Sequence, residues 1–272
     1  MKKALILLLI LGIGYVIVLP LWRNWRFNSL ERDGIDAFRE RRWSDAARLL
    51  ENAAQYAGDT EQGWYNLGLA RSRMGDLKGA EVALKKAISI DFNEPNAIMA
   101  LADVQLRLGD YAGAEDLAQA NIRFSPDNAD AYYVLGCVYA QTKRVTNAVE
   151  AYQQSIHYRP ENAAARYDLG WCYATLGKYE DARKELEESV RLAPGDTVSH
   201  LLLGRVLVNL GDRSGADQQQ RVLRSLDRRA AIDLLELIKQ AASRSVTKST
   251  NELSSFELNL HSLSDRGTES GP

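Results

Sequence analysis

LGWCYATLGKYEDA, residues 169–182, recurs with variations along most of the chain. Steps of 34 residues back from Ala182 reach Ala148, Ala114, Ala80 and Ala46, and one step forward reaches Ala216. All six are alanine. The same step from Gly170 reaches Gly136, Ala102, Gly68, Gly34 and Gly204. Leucine precedes this small residue at Leu67, Leu101, Leu135, Leu169 and Leu203, with Asp33 standing there in the first unit. Pro126, Pro160 and Pro194 close three of the units, and no insertion breaks the phase from residue 27 to 230.

Each unit holds two stretches with apolar residues at helical spacing. In the fifth unit they run over about 164–176 and 179–192, separated by Gly177-Lys178. Equivalent breaks stand at Gly75-Asp76, Gly109-Asp110 and Gly211-Asp212. Glycine tolerates the positive φ of a helix end, and proline after the second stretch stops it. A small residue at the Gly170 site and alanine at the Ala182 site let two helices approach closely. A larger side chain there would overpack, at about 1–3 kcal/mol. One helix pair cannot bury its own apolar face, whereas stacked neighbours can.

The period and the motif W-x2-L-G-x2-Y, then A, then P, resemble the tetratricopeptide-repeat (TPR) family. The residues that carry the resemblance are Trp64, Leu67, Gly68 and Ala80; Tyr132, Leu135, Gly136, Tyr139, Ala148, Tyr152 and Pro160; and Leu169, Gly170, Tyr173, Ala182 and Pro194. The resemblance covers about 27–230. It implies an all-α fold, an α-α superhelix or TPR solenoid, with units 27–60, 61–94, 95–128, 129–162, 163–196 and 197–230. The first unit is the most divergent, as terminal repeats often are. AIDLLELIKQAAS follows the sixth unit and reads as a capping helix over 231–243. The polar stretch 244–272 reads as a disordered tail.

Residues 1–26 form a separate segment. After Lys2 and Lys3 the chain runs from Ala4 to Trp22 without a charge. As a helix those 19 residues would span about 28 Å, close to the roughly 30 Å of a bilayer core. Trp22, Trp25, Arg23 and Arg26 stand where a headgroup region would lie. The run exceeds the apolar region of a cleaved signal and lacks its small-residue site. The expectation is therefore a single transmembrane helix acting as an N-terminal anchor. The arginines that follow it favour a cytoplasmic repeat region; export, with or without cleavage, is the alternative.

Catalytic chemistry is not indicated. The net charge of −2 shows no basic excess for nucleic acid. His157, His200 and His261 lie far apart, and with Cys137 and Cys172 they form no metal-ligand spacing. GWCYATLGKY misses the phosphate-loop spacing. Cys137 and Cys172 read as packed thiols rather than a bridge. No nucleophile–base set is apparent, so neither enzymatic activity, cofactor nor metal is expected.

The family resemblance implies that repeat positions 2, 5, 9, 12 and 13 line a concave groove. Carried onto this chain, position 5 is Tyr65, Met99, Tyr133, Tyr167 and Leu201, and position 9 is Leu69, Asp103, Cys137, Trp171 and Arg205. Position 13 adds Arg73, Arg107 and Gln141. Aromatic and arginine side chains are frequent binding anchors. The alternative for the rings is packing between helices. Tyrosine at position 5 and the lack of asparagine at position 9 disfavour the basic clamp of the chaperone-binding subgroup. The groove suits an apolar or aromatic protein segment. The expected role is a membrane-anchored adaptor in membrane or envelope complex assembly. The alternatives are a self-associating scaffold and a non-catalytic accessory subunit of an enzyme complex.

Overall fold

The computed structural model describes residues 19–57, 60–91 and 95–247. These residues form thirteen helices and contain no strand. In chain order they are α1 (Leu19–Arg39), α2 (Trp43–Ala57), α3 (Glu61–Met74), α4 (Leu77–Ile90), α5 (Pro95–Leu108), α6 (Tyr111–Phe124), α7 (Ala129–Gln141), α8 (Val145–Tyr158), α9 (Ala163–Thr175), α10 (Tyr179–Leu192), α11 (Thr197–Leu210), α12 (Arg213–Leu226) and α13 (Arg228–Thr247). The chain divides within α6 into two compact units, Met1–Asn121 and Ile122–Pro272.

The turns explain why each repeat breaks where it does. Gly75, Gly109, Gly177 and Gly211 end their helices at φ between +73° and +85°. The aspartate that follows three of them caps the next helix. Asp76 accepts from the Gly79 N–H at 2.9 Å, Asp110 from Gly113 at 3.1 Å and Asp212 from Gly215 at 2.9 Å. One dipeptide thus stops one helix and starts the next. Two turns lack the glycine, and there Arg41 and Lys143 adopt φ of 59° and 61°.

Within the first unit, Gly34 faces Leu50 and Gly68 faces Leu84; a Cβ at either glycine would lie within 2.9 Å of the leucine side chain. Ala102 replaces the glycine in the next pair, and Ala118, sixteen residues on, replaces the leucine; both are fully buried. The bulkier residue at the glycine site is accompanied by a smaller one on the facing helix, which avoids the overlap a leucine would make there. The Asn121 side chain donates to the Pro95 carbonyl at 3.2 Å, tying α6 to α5.

Within the second unit, Gly136 lies under the Tyr152 ring and Gly170 under Leu186. The sixth pair departs from this pattern. Its equivalent partner position is Gln220, whose side chain donates to the Ala231 carbonyl at 3.3 Å. The space above Gly204 is filled by Leu234 of α13. Helix α13 buries Ala230, Ala231, Leu234 and Ile238 in one core with Leu203, Leu207 and Leu223. It covers the last pair, and it is longer at both ends than the 231–243 expected from sequence.

Two other expectations change. The boundary placed after residue 26 falls inside α1, which already begins at Leu19. Residues 244–247, assigned to a disordered tail, belong to α13. The remainder of that tail, and most of the anchor run 4–22, lie outside the described residues. Among the described residues no helix is long and apolar enough to cross a membrane.

Candidate functional site

The first helix of each pair carries the residues that the family resemblance places on a groove. In the first unit these are Tyr65, Leu69 and Arg73 on α3, and Met99, Asp103 and Arg107 on α5. Tyr65 is half-buried and packs on Ala80, Leu84, Leu101 and Val104. Leu69 and Met99 are half-buried as well, while Arg73 and Asp103 are exposed. Arg107 is committed structurally: its Nη1 donates to the Ser72 hydroxyl at 2.7 Å, and both Nη atoms reach the Ser72 carbonyl at 3.4 Å. It thereby adds a second donor to a carbonyl in the last turn of α3 that already accepts from the Gly75 N–H at 3.1 Å, at a helix end where a cation is favoured. Asp103 lies 3.8 Å from Arg107. Although the side chain is partly exposed, protein crowded around its carboxyl desolvates it and raises it above the usual range, and Arg107 and Arg73 oppose that rise.

In the second unit the residues are Tyr133 and Cys137 on α7, and Tyr167 and Trp171 on α9. Tyr167 is 3% exposed and belongs to the core with Leu202, Leu203 and Val206. It packs between helices and offers no surface to a ligand, which corrects its assignment to the groove. Tyr133 is half-buried; its hydroxyl donates to Asp168 Oδ2 at 3.0 Å and its ring tilts against Tyr152 at 5.8 Å. The Tyr152 hydroxyl lies 3.5 Å from Cys137 Sγ. Burial first, then the Asp168 charge, push the Tyr133 hydroxyl well above its ordinary value. Burial, with Asp168 and Cys137, pushes the Cys172 thiol up to about 12. Both cysteines are free thiols, and Cys172 is a protonated core residue rather than a nucleophile.

Trp171 is half-buried and packs against two core clusters, one containing Tyr152, Leu169 and Cys172 and the other Leu202, Leu203 and Val206. Leu201 is half-buried one repeat further on, on α11. Arg205 follows it on α11, with a buried Nε that has no acceptor among the described residues. Asp168, beside Tyr167, was missed because it stands at repeat position 6, outside the set carried over from the family. Its one signal in the sequence is an acid in the middle of a helix whose only other charge is Arg166. His200 is a packed residue, 6% exposed, with Nδ1 2.7 Å from Gln219 Oε1 and Nε2 3.0 Å from the Pro194 carbonyl.

The repeated helix pairs with small residues at their contacts are those of the tetratricopeptide-repeat family. Models of that family match residues 61–94, 99–157 and 139–206, together more than half of the chain. The chain belongs to the tetratricopeptide-repeat family. No curated protein matches it. Among solved structures it is similar to pilF of Pseudomonas aeruginosa, with 16% identity and a TM-score of 0.66 over 76% of this chain and 94% of that one. A thermophilic TPR protein of Thermus thermophilus matches with 21% identity and a TM-score of 0.54 over 67% of this chain and 99% of that one. YrrB, described as a TPR protein with an unusual peptide-binding site, matches with 20% identity and a TM-score of 0.53 over 73% of this chain and all of that one. At these identities the likeness is one of fold.

Proposed function

We propose that the protein is a non-catalytic scaffold that captures an extended or helical protein segment on the first-helix face of its second unit. The observation that carries this reading is the group of Trp171, Leu201, Tyr133 and Arg205. The Trp171 ring and Leu201 stand half-buried against one core, and Arg205 lies one turn along α11 from Leu201. Such a surface accepts an apolar or aromatic side chain flanked by an acceptor. The peptide-binding site named for the structurally similar YrrB is compatible with this use.

The repeat array extends, in this reading, over six units from residue 27 to 230. Residues 4–22 attach it to a membrane, and the arginines after them keep the repeats on the cytoplasmic side. Recruitment to a membrane-bound or envelope assembly follows from that placement.

The test is crosslinking from membranes with the full-length chain beside Trp171→Ala and Arg205→Ala variants. Partners lost in both variants, with helical content unchanged by circular dichroism, support the reading. The same partners captured by all three proteins remove this face from consideration.

A further inference from the structure

Helix α1 has 21 residues, whereas every other first helix of a pair has 13 or 14. The surplus lies at its N-terminal end. Phe27 and Leu30 are buried with Ala53, and Phe27 lies against α3 near Gly63. The eight residues before Phe27 therefore precede the core by about 12 Å of helix. Pro20 stands in their first turn, where no intrahelical N–H is required.

These two turns carry large apolar side chains that stay substantially exposed. Leu21, Trp22 and Trp25 are 64%, 48% and 62% exposed. Spacings of three and four residues place them on one side of the helix. Arg26 follows in the same segment, and Arg23 lies between the two tryptophans in sequence. Solvent-exposed tryptophans spaced this way are unfavourable in water and suit the boundary between hydrocarbon and headgroups, where the ring is buried and the indole N–H remains wet. The occupant is indicated by the chain itself: Leu19–Trp22 are the last four residues of the uncharged run that begins at Ala4. The helix crosses from that run into the first pair with no intervening linker.

We propose that the first two turns of α1 form a membrane-seated stalk, with Leu21, Trp22 and Trp25 in the interfacial layer of a phospholipid bilayer. The proposal rests on the membrane attachment put forward above and adds to it. One helix both leaves the bilayer and builds the first repeat, so that repeat sits within about two turns of the headgroups rather than on a flexible tether. The length of α1 follows from this double use.

The experiment uses the full-length chain reconstituted into phosphatidylethanolamine–phosphatidylglycerol vesicles, with tryptophan emission quenched by lipids brominated near the headgroup or deep in the acyl chain. Five tryptophans contribute: Trp22, Trp25, Trp43, Trp64 and Trp171. Shallow bromines are expected to quench more than deep ones, and, compared at equal amounts of vesicle-bound protein, Trp22→Phe with Trp25→Phe to remove most of that quenching while circular dichroism stays unchanged. A vesicle-bound protein whose quenching is the same in the double variant overturns the stalk but leaves membrane attachment standing. Protection of Trp22 and Trp25 from both bromolipid and aqueous iodide also overturns it, since another protein or a second copy would then cover them. A chain that does not associate with the vesicles removes the attachment and the stalk together.

Discussion

The first-helix faces of the two units use the same repeat positions for different ends. In the first unit the charged residues are partly committed to one another and to the backbone, with Arg107 on Ser72 and beside Asp103. In the second unit the polar groups are fewer and the rings dominate. Tyr133 is held by Asp168, Tyr167 is core, and Trp171 is half-buried. A repeat position fixes which way a side chain leaves the helix. Whether that side chain reaches solvent depends on the residues stacked on it, and this is why Tyr133 and Tyr167 differ at the same position.

The largest effect is expected where that contrast is sharpest. Tyr167→Ala removes a buried ring and should destabilise the protein by about 3–5 kcal/mol, read as a lower urea midpoint. Trp171→Ala, one turn further along α9, should cost less stability and more partner capture. Equal losses of stability in the two variants would break the distinction between core and face.

Alkaline titration separates the second unit by its buried protons. Tyr133, Tyr152 and Cys172 all hold their protons more tightly when folded, the tyrosines above an ordinary value of 10.0 and the thiol at about 12 against 9.0. The folded state thus binds protons that the unfolded chain releases. The stabilisation is complete below about pH 9 and is lost as pH rises toward the folded values. The urea midpoint should fall steadily above pH 9, and Tyr152→Phe should flatten the fall. A midpoint independent of pH would show that these groups are wetter than their burial indicates.

Arg107→Ala tests the other face. Loss of the hydrogen bonds to the Ser72 hydroxyl and carbonyl should cost about 1–3 kcal/mol. Arg73→Ala, at the same position one repeat earlier and exposed, should stay within about 0.5 kcal/mol. If Arg107→Ala instead leaves the urea midpoint unchanged and abolishes capture, the first unit is the binding face.

Much of the fold was legible because its contacts repeat. The 34-residue step carried the helix pairs, the close glycine approaches and the turns, each of which depends on one or two residues at a fixed position. The far end of the array was less so. The residue sixteen after Gly204 is a glutamine, so the space over the glycine is filled by Leu234, thirty residues away. A step of 34 does not reveal a partner on a helix outside the repeat. The candidate face was legible in direction only. Tyr167 was indistinguishable from Tyr133 by period, and Asp168 stood one position outside the pattern. The hydrogen bond that distinguishes them is formed between neighbouring repeats, from the Tyr133 hydroxyl to Asp168.

The smallest expected effects lie in the turns, where repeats that obey the pattern can be set against those that break it. Lys143 holds φ at 61° where Gly211 holds 76° in an equivalent turn. The left-handed region brings the Cβ of an L-residue close to the following carbonyl oxygen, which glycine avoids. Glycine also leaves a more disordered unfolded chain, and that offsets part of the gain. Lys143→Gly should therefore stabilise the protein by up to about 1 kcal/mol, and Gly211→Ala should destabilise it by a similar amount. Arg144, next to Lys143, stacks over the Tyr139 ring at 4.4 Å, and that contact is independent of the Lys143 side chain. If Lys143→Gly destabilises instead, the lysine is stabilising the turn through its own side chain, and the absence of glycine in the fourth pair has a structural use.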